Sequence, residues 1–104
     1  MAFSKYKAQR TKVGDISFAS KKEAKRFGEL QLLERAGQIA SLILQPEFEL
    51  VVNDKRVCIY RGDFAYLENL KPVVEDVKGF KTEVYKLKRK LLLALHPNLD
   101  HREL

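Results

Sequence analysis

"DFAYLENLKPVVEDVKG", residues 63–79, decides the fold, because two strand-like runs flank a short polar turn. Both runs are rich in the β-branched and aromatic residues that strands favour. A tight turn with Asn69 and Leu70 at its tip would pair the runs as an antiparallel hairpin. In that register Asp63 lies directly opposite Asp76. We therefore expect a hairpin whose open end carries two facing acids.

Two facing acids need an explanation, because side chains opposite each other have Cβ atoms about 4.5 to 5.5 Å apart and like charges there destabilise a sheet. One explanation is that the sheet ends near Val77 and the charges lie on its wet rim. The other is that Asp63 and Asp76 share a hard divalent cation, which takes oxygen ligands. Strand alternation places Lys78 on the face of Asp76 and Glu75 on the opposite face. A slip of one residue in the register would remove the pairing.

A helix precedes the sheet, and capping residues mark its start and its end. The run "SKKE" matches a capping box with Ser20 as the N-cap, and Gly37 is a typical left-handed terminator. Glu23, in the first turn, projects between Phe27 and Leu30 toward the predicted sheet. Its carboxylate therefore has two candidate roles. It closes the capping box, or it is a third acid of the site.

The remaining segments complete a mixed α/β fold of the α+β type. Residues 39–67 alternate between β-branched or aromatic runs and turn signals, which predicts two or three antiparallel strands with a bulge at Gly62. A second helix is expected over residues 83–95, with Thr82 as its N-cap and Pro97 ending it. Its predicted buried stripe is made of apolar residues at helical spacing: Val84, Leu87, Leu91, Ala94 and Leu95. The prediction is a mixed, mainly antiparallel sheet flanked by an N-terminal and a C-terminal helix.

Length and composition predict one domain. Its 104 residues divide into a flexible basic arm, residues 1–15, and a core, residues 16–96. No apolar run approaches the roughly 20 residues of a membrane span, and the N-terminus lacks the apolar stretch of a secretory signal. We therefore expect a cytoplasmic protein with no membrane partner. Cys58 is expected to be a buried structural thiol, and His96 and His101 are expected at the surface.

Positive charge is concentrated in two segments of a chain whose net charge is +6. Residues 1–12 carry four cations and no acid, and residues 81–90 carry five cations against Glu83 alone. Clustered cations are typical of surfaces that bind nucleic-acid phosphates, because each neutralised phosphate releases counterions. Solvated helix faces are also rich in lysine. An anionic membrane surface is a weaker alternative, because the arm lacks an organised apolar face.

Taken together, these residues resemble the PD-(D/E)XK nuclease superfamily, which includes Holliday-junction resolvases with an early helical Glu. The likeness covers residues 20–95 and looks like a small phage-borne family within the superfamily. It depends on an ordered set in which acids are followed by a lysine and then by a cationic helix: Glu23, Asp63, Asp76 and Lys78.

Two positions depart from the pattern of that superfamily. Gly62 stands where the superfamily's name has proline, and Asp76 stands where Glu is more common. Glu75 is adjacent and is the alternative ligand, but the spacing of acid, any residue and lysine selects Asp76 together with Lys78.

The resemblance implies a restriction-endonuclease-like core and a metal-dependent endodeoxyribonuclease. Asp63 and Asp76, helped by the backbone carbonyl of Val77, would hold Mg²⁺ or Mn²⁺, and Glu23 would bind a second ion or orient water. Lys78 would position the nucleophile or stabilise the transition state. No small-molecule cofactor is expected. DNA would be bound by residues of the arm and of the second helix: Lys5, Lys7, Arg10, Lys12, Lys81, Thr82, Lys86, Lys88 and Arg89.

The expected substrate is DNA of a particular structure, because phosphate contacts read no sequence and no base-reading motif is present. A Holliday junction or other branched DNA is expected, and the two-fold symmetry of a four-way junction predicts a homodimer. A phage-encoded enzyme would act in the host cytoplasm. Two alternatives stay open: a non-catalytic nucleic-acid-binding module, and an interaction protein whose cationic helix binds an acidic partner.

Overall fold

The computed structural model describes residues 11–13 and 16–104, with side chains described from residue 16 onward. The elements within those residues are, in chain order, β1 (Thr11–Val13), β2 (Ile16–Phe18), α1 (Lys21–Arg35), β3 (Ala40–Leu44), β4 (Glu47–Val52), β5 (Lys55–Arg61), β6 (Phe64–Glu68), β7 (Lys71–Asp76), α2 (Glu83–Leu95) and β8 (Asp100–Glu103).

The central sheet has four strands in the order β3-β6-β7-β8. Strand β6 pairs antiparallel with β3 and β7, and β8 pairs parallel with β7. Two separate antiparallel ribbons are formed by β1 with β2 and by β4 with β5. The described part of the chain is therefore a mixed α+β fold with two helices and a mostly antiparallel sheet, which confirms the predicted class.

The hairpin of β6 and β7 has the predicted register. Phe64 pairs with Glu75, and Glu68 pairs with Lys71 at the other end. The turn residues Asn69 and Leu70 have φ angles of 54° and 65°, which are the left-handed values of the two-residue turn that matches strand twist. Asp63 and Asp76 therefore stand at the open end of the hairpin, each one residue beyond a paired position.

Helix α1 begins and ends as its capping residues predict. The Ser20 side chain accepts a hydrogen bond of 3.1 Å from the backbone N–H of Glu23. At the other end Gly37 has φ of 77°, and the N–H groups of Gly37 and Gln38 donate to the carbonyls of Glu34 and Leu33. This pattern of two bonds is the Schellman motif, which satisfies carbonyls that a helix end leaves free.

The two helices cover opposite faces of β7. Val73 packs in the cluster that contains Phe27 and Leu30 of α1, whereas Val74 packs with Leu92 of α2. Because side chains alternate along a strand, Glu75 follows Val73 to the α1 face and Asp76 follows Val74 to the α2 face. Neither helix in the described residues has the length and hydrophobicity to cross a bilayer.

Helix α2 has the predicted bounds and the predicted N-cap, but the predicted buried stripe is wrong except at Leu91, which packs partly buried against the core. Thr82 accepts a hydrogen bond from the N–H of Tyr85, whereas Val84 and Leu87 are 63% and 68% exposed. The helix is rotated so that Leu92 is fully buried. Tyr85 lies on the inner side, where it has a hydrogen-bond partner in β8. The rotation of α2 thus depends on a polar partner of Tyr85, which the apolar pattern of the helix does not indicate.

The predicted boundaries of arm and core need correction at both ends. Residues 11–13 were assigned to the flexible arm, but they form β1 because they pair with β2. Residues 1–10 and 14–15 of the predicted arm lie outside the described residues. The core also continues past residue 96, because β8 joins the central sheet beside β7.

Two predictions about single residues also change. Gly62 is not at a bulge but in the connection between β5 and β6, where a Cβ would lie 2.8 Å from Cγ1 of Val74. Close approach to β7 therefore explains the glycine. Cys58 is partly buried and packs against the cluster of Leu50 and Tyr60, so it is less enclosed than predicted.

Candidate functional site

A cavity of about 560 Å³ opens where the start of α1, the open end of the β6–β7 hairpin and the start of α2 meet. Four residues of the predicted catalytic and metal-binding set line it, namely Glu23, Asp63, Val77 and Lys78, and so does Thr82 of the predicted DNA-binding set. Asp76, the remaining member of the predicted set, is fully buried, and its Oδ1 atom lies 3.2 Å from Nζ of Lys78. The structure therefore brings together residues that are up to 55 positions apart (78 − 23 = 55) in the chain.

Asp63 is fixed by the chain that leaves β7. Its Oδ2 atom accepts a hydrogen bond of 2.7 Å from the backbone N–H of Val77, and its own N–H donates to the carbonyl of Glu75. Burial raises the pKa of Asp63, against the opposing effects of the Val77 N–H and of Lys78. The Asp63 carboxylate is thus held at the cavity in an environment that disfavours its charge.

Glu23 is 6% exposed, and burial followed by the charge of Asp63 raises its pKa to about 7. Lys78 and a backbone hydrogen bond at Ala19 oppose that rise. The backbone N–H of Glu23 serves the Ser20 cap while its carboxylate lines the cavity. The observed capping bond is therefore made by the main chain of Glu23, and its carboxylate is at the cavity, which is the second of its two candidate positions.

The two oxygens of Asp76 have different surroundings. Oδ2 accepts a hydrogen bond from the Tyr60 hydroxyl and lies 2.9 Å from Nε2 of His101. Oδ1 is within ion-pair distance of Lys78, yet no group among the described residues donates a hydrogen bond of good geometry to it. A buried carboxylate oxygen without such a donor is uncommon, and it calls for an explanation such as a bound ion.

Lys78 lies between an acid and an aromatic ring. Its Nζ atom is 3.2 Å from Asp76 Oδ1 and 4.9 Å from the centre of the Tyr85 ring. Tyr85 in turn donates a hydrogen bond of 2.8 Å to Glu103 of β8. The Lys78 ammonium is therefore directed along the cavity wall by contacts on both sides.

Glu75, the alternative ligand, is engaged on the other face of β7. Its carboxylate is fully buried and accepts two hydrogen bonds from Arg26 of α1, at 2.7 Å from Nε and 2.6 Å from Nη2. The Tyr66 hydroxyl also donates to it. This bidentate pair ties α1 to β7, and it leaves Asp76 as the acid that faces Lys78.

Sequence reasoning missed His101 and Tyr60. The prediction of a surface position for His101 is wrong, because its side chain is fully buried beside Asp76. The reason is β8, whose four residues Asp100–Glu103 are all polar or charged and carry no strand signal. His96 is exposed, with its ring centre 5.9 Å from that of Phe48.

The predicted DNA-binding residues fall into two groups, those outside the described residues and those with partners inside the fold. Lys5, Lys7 and Arg10 lie outside the described residues, as does the side chain of Lys12. Thr82 caps α2. Each predicted cation on or next to α2 has a partner within the chain: Lys81 with Glu103, Lys86 with Glu83, Lys88 with the carbonyl of Ile59, and Arg89 with His101.

Free cations lie instead on α1. Lys21, Lys22 and Lys25 are exposed and have no ion pair among the described residues, and Lys22 lines the cavity. The expected DNA-binding residues do not include these three lysines, because acids are interspersed with the cations along α1.

No group of three or more His, Cys, Asp or Glu side chains in the described residues is placed to hold a metal ion. Fewer protein ligands are sufficient for magnesium, which is commonly bound by one or two carboxylates together with waters and substrate phosphate.

The family model described as "Protein of unknown function (DUF1064)" matches residues 3–102, so the chain belongs to that family. No curated protein and no solved structure is significantly similar to the chain. The function must therefore be argued from the site itself.

Proposed function

We propose that this member of the family is a metal-dependent endonuclease that acts in the cytoplasm and hydrolyses phosphodiester bonds in DNA, with branched DNA as its preferred substrate. One observation carries the proposal. The carboxylates of Glu23 and Asp63 line one cavity together with Lys78. Behind Lys78, the buried Oδ1 of Asp76 lies 3.2 Å from Nζ and accepts no hydrogen bond of good geometry from the described residues.

The donor atoms suit a hard cation. Asp63, Asp76 and the carbonyl of Val77 would supply oxygen ligands to one cation, with Glu23 beside them. Burial is the main cause of the raised pKa values of Glu23 and Asp63, and the charge of Asp63 adds to the rise at Glu23. Bound Mg²⁺ or Mn²⁺ would polarise the scissile phosphate and make hydroxide available near neutral pH.

The chain's own residues have distinct roles in this proposal. Lys78 places a positive charge beside the acids, where it stabilises the charge that develops on the phosphate in the transition state. Glu23, with a pKa of about 7, orients the attacking water and accepts its proton. Lys22 lines the same cavity and contacts the DNA backbone, continued by Lys25 one turn along α1.

We further propose that a second copy of the chain completes the unit that cuts a four-way junction. Val84 and Leu87 form an exposed apolar surface on α2, which supports a contact between copies. A two-fold dimer would place two cavities for paired incisions on a two-fold symmetric substrate.

The second candidate is a nucleic-acid-binding module without catalysis. It is favoured by one observation, that no three acids, histidines or cysteines in the described part of the chain are placed around a common metal position. In this reading Asp76 serves only to pair with Lys78, Tyr60 and His101.

One assay separates the two candidates. A labelled four-way junction and a linear duplex of the same arms are incubated with the protein in Mg²⁺ or EDTA. The endonuclease cuts only in Mg²⁺, and Asp63→Asn and Lys78→Met each lower the cleavage rate by about 10²- to 10³-fold. Glu49→Gln, which changes an exposed acid of β4, is the matched control and cuts normally.

Binding without Mg²⁺-dependent cutting would support the module. Cleavage that survives both Asp63→Asn and Asp76→Ala would reject the assigned residues. Nucleic-acid binding that is insensitive to salt, or absent, would favour the interaction protein.

A further inference from the structure

His101 belongs to a closed polar cluster behind Asp76. Its Nε2 atom is 2.9 Å from Asp76 Oδ2, its Nδ1 atom is 3.0 Å from Nε of Arg89, and the Tyr60 hydroxyl contacts both His101 and Asp76. Both the His101 and the Asp76 side chains are fully buried. Strand β8 places the imidazole beside Asp76. His101 pairs with Val74, and Val74 and Asp76 are two residues apart on β7, so all three side chains lie on the same face of the sheet.

Arg89 determines which nitrogen of His101 carries the proton. A guanidinium is only a hydrogen-bond donor, so the contact with Nδ1 requires that nitrogen to accept. The proton of the neutral imidazole is then on Nε2, which faces two acceptors, Asp76 Oδ2 and the Tyr60 oxygen. This arrangement explains why a predicted DNA-binding arginine is turned inward.

We propose that His101 is a positioning residue, which anchors Asp76 through Oδ2 so that Oδ1 is directed toward Lys78 and is available as a ligand. The proposal rests on the proposed function in one respect, namely that Oδ1 binds a divalent cation. Partners of this kind fix the orientation of a ligating carboxylate and raise its effectiveness as a ligand. With Oδ2 occupied by donors from β5 and β8, rotation of the carboxylate would break two hydrogen bonds.

The first test measures the tautomer directly in the full chain without metal. Long-range ¹H–¹⁵N correlation spectra recorded in EDTA report the protonation of each imidazole nitrogen. We expect His101 to be protonated at Nε2, with a signal that shifts in Asp76→Asn, and we expect Arg89→Met to convert it to a mixture of tautomers. Exposed His96 provides the internal reference. A proton on Nδ1 of His101, or a signal insensitive to Asp76→Asn, would overturn the proposal.

The second test separates positioning from a merely structural role. His101→Gln retains an N–H close to the position of Nε2, whereas His101→Leu removes it. We expect His101→Leu to weaken Mn²⁺ binding and to lower kcat by about 10- to 100-fold, with KM for DNA unchanged. His101→Gln should recover most of the loss, and His96→Leu should have no effect. Thermal unfolding of each variant establishes that it is folded.

The outcomes distinguish this proposal from the proposed function. Absence of Mn²⁺ binding by the wild type would reject the proposed function. The tautomer measurement would still show whether His101 donates to Asp76 and fixes its orientation. Normal Mn²⁺ binding and kcat in His101→Leu would overturn the positioning role alone. Equal losses in His101→Leu and His101→Gln would show that the Nε2–H donor is not what matters.

Discussion

Glu23 shows, at one residue, how the arrangement of the site lowers the stability of the fold at neutral pH. Its carboxylate is buried near Asp63, and burial is the largest of the effects that raise its pKa to about 7. In the unfolded chain the same group titrates near 4.5. The folded protein therefore binds more protons than the unfolded chain between these pH values.

The free energy of unfolding should fall as the pH rises through this interval. The reason is that the folded state binds more protons than the unfolded state, so a lower proton concentration destabilises the folded state. The raised pKa of Asp63 acts in the same direction. We expect the free energy of unfolding, measured by urea denaturation in EDTA, to be roughly 2 kcal/mol lower at pH 8 than at pH 5. Glu23→Gln should remove most of this difference and should be the more stable protein at pH 8, although it should be less active.

Glu49→Gln, at an exposed acid, provides the control and should keep the pH dependence of the wild type. A wild-type stability that is level between pH 5 and pH 8 would contradict the raised pKa of Glu23, as would an unchanged slope in Glu23→Gln.

The hairpin of β6 and β7 is the element on which the site depends, because its register brings Asp63 and Asp76 to one end. Its turn contains a strained residue. Leu70 has φ of 65° and is 92% exposed, so it occupies a left-handed conformation with little packing to offset the strain. Glycine adopts this conformation without strain.

We expect Leu70→Gly to stabilise the protein by about 1 kcal/mol, since the left-handed region costs a residue with a Cβ roughly that amount. Thermal unfolding is the measurement. Leu70→Ala removes most of the same side chain but keeps the Cβ, so it should give no comparable gain. Equal stability of the glycine and alanine variants would show that the turn is not strained.

The elements that could be predicted are those whose signals are local. Ser20 and Gly37 mark the ends of α1, and the turn at Asn69 sets the register of the hairpin. Strand β8 could not be predicted, because its residues are polar and its pairing partner lies about 27 positions earlier (101 − 74 = 27). The rotation of α2 also escaped prediction, since it depends on contacts with β8 and β5.

The residues of the site divide in the same way, into those that local sequence signals predict and those that depend on contacts between distant segments. Glu23, Asp63 and Lys78 line one cavity, as strand register and helix periodicity predict, whereas Asp76 of the same set is buried behind Lys78. Tyr60 lies on β5, which belongs to a separate ribbon, and His101 lies on β8, whose residues carry no strand signal. Sequence spacing therefore does not indicate that either residue meets Asp76.

At the scale of the whole molecule, the distribution of charge differs from what segment counts indicate. The cations predicted on α2, namely Lys86, Lys88 and Arg89, have partners within the fold. Lys22 of α1 is exposed at the cavity, and Lys25 is exposed one turn further along the helix. If DNA reaches the site, its backbone should follow α1. Each phosphate contact adds about one unit to the salt dependence of binding.

We therefore expect Lys22→Ala and Lys25→Ala each to reduce the slope of log K against log salt by about 1, measured by fluorescence anisotropy on a duplex in EDTA. Lys86→Ala is the comparison, because Lys86 pairs with Glu83 at 3.3 Å and should change the slope much less. The reverse result, in which only Lys86→Ala alters the slope, would place DNA on α2.

The central claim is that Asp63 and Asp76 hold a divalent cation at the end of the hairpin. The most direct test is the anomalous difference map of a crystal soaked in Mn²⁺. We expect a peak about 2 Å from a carboxylate oxygen of Asp63 and from Oδ1 of Asp76, with the carbonyl of Val77 adjacent. A map from a well-soaked crystal with no peak at these atoms, or with a peak only elsewhere, would contradict the claim.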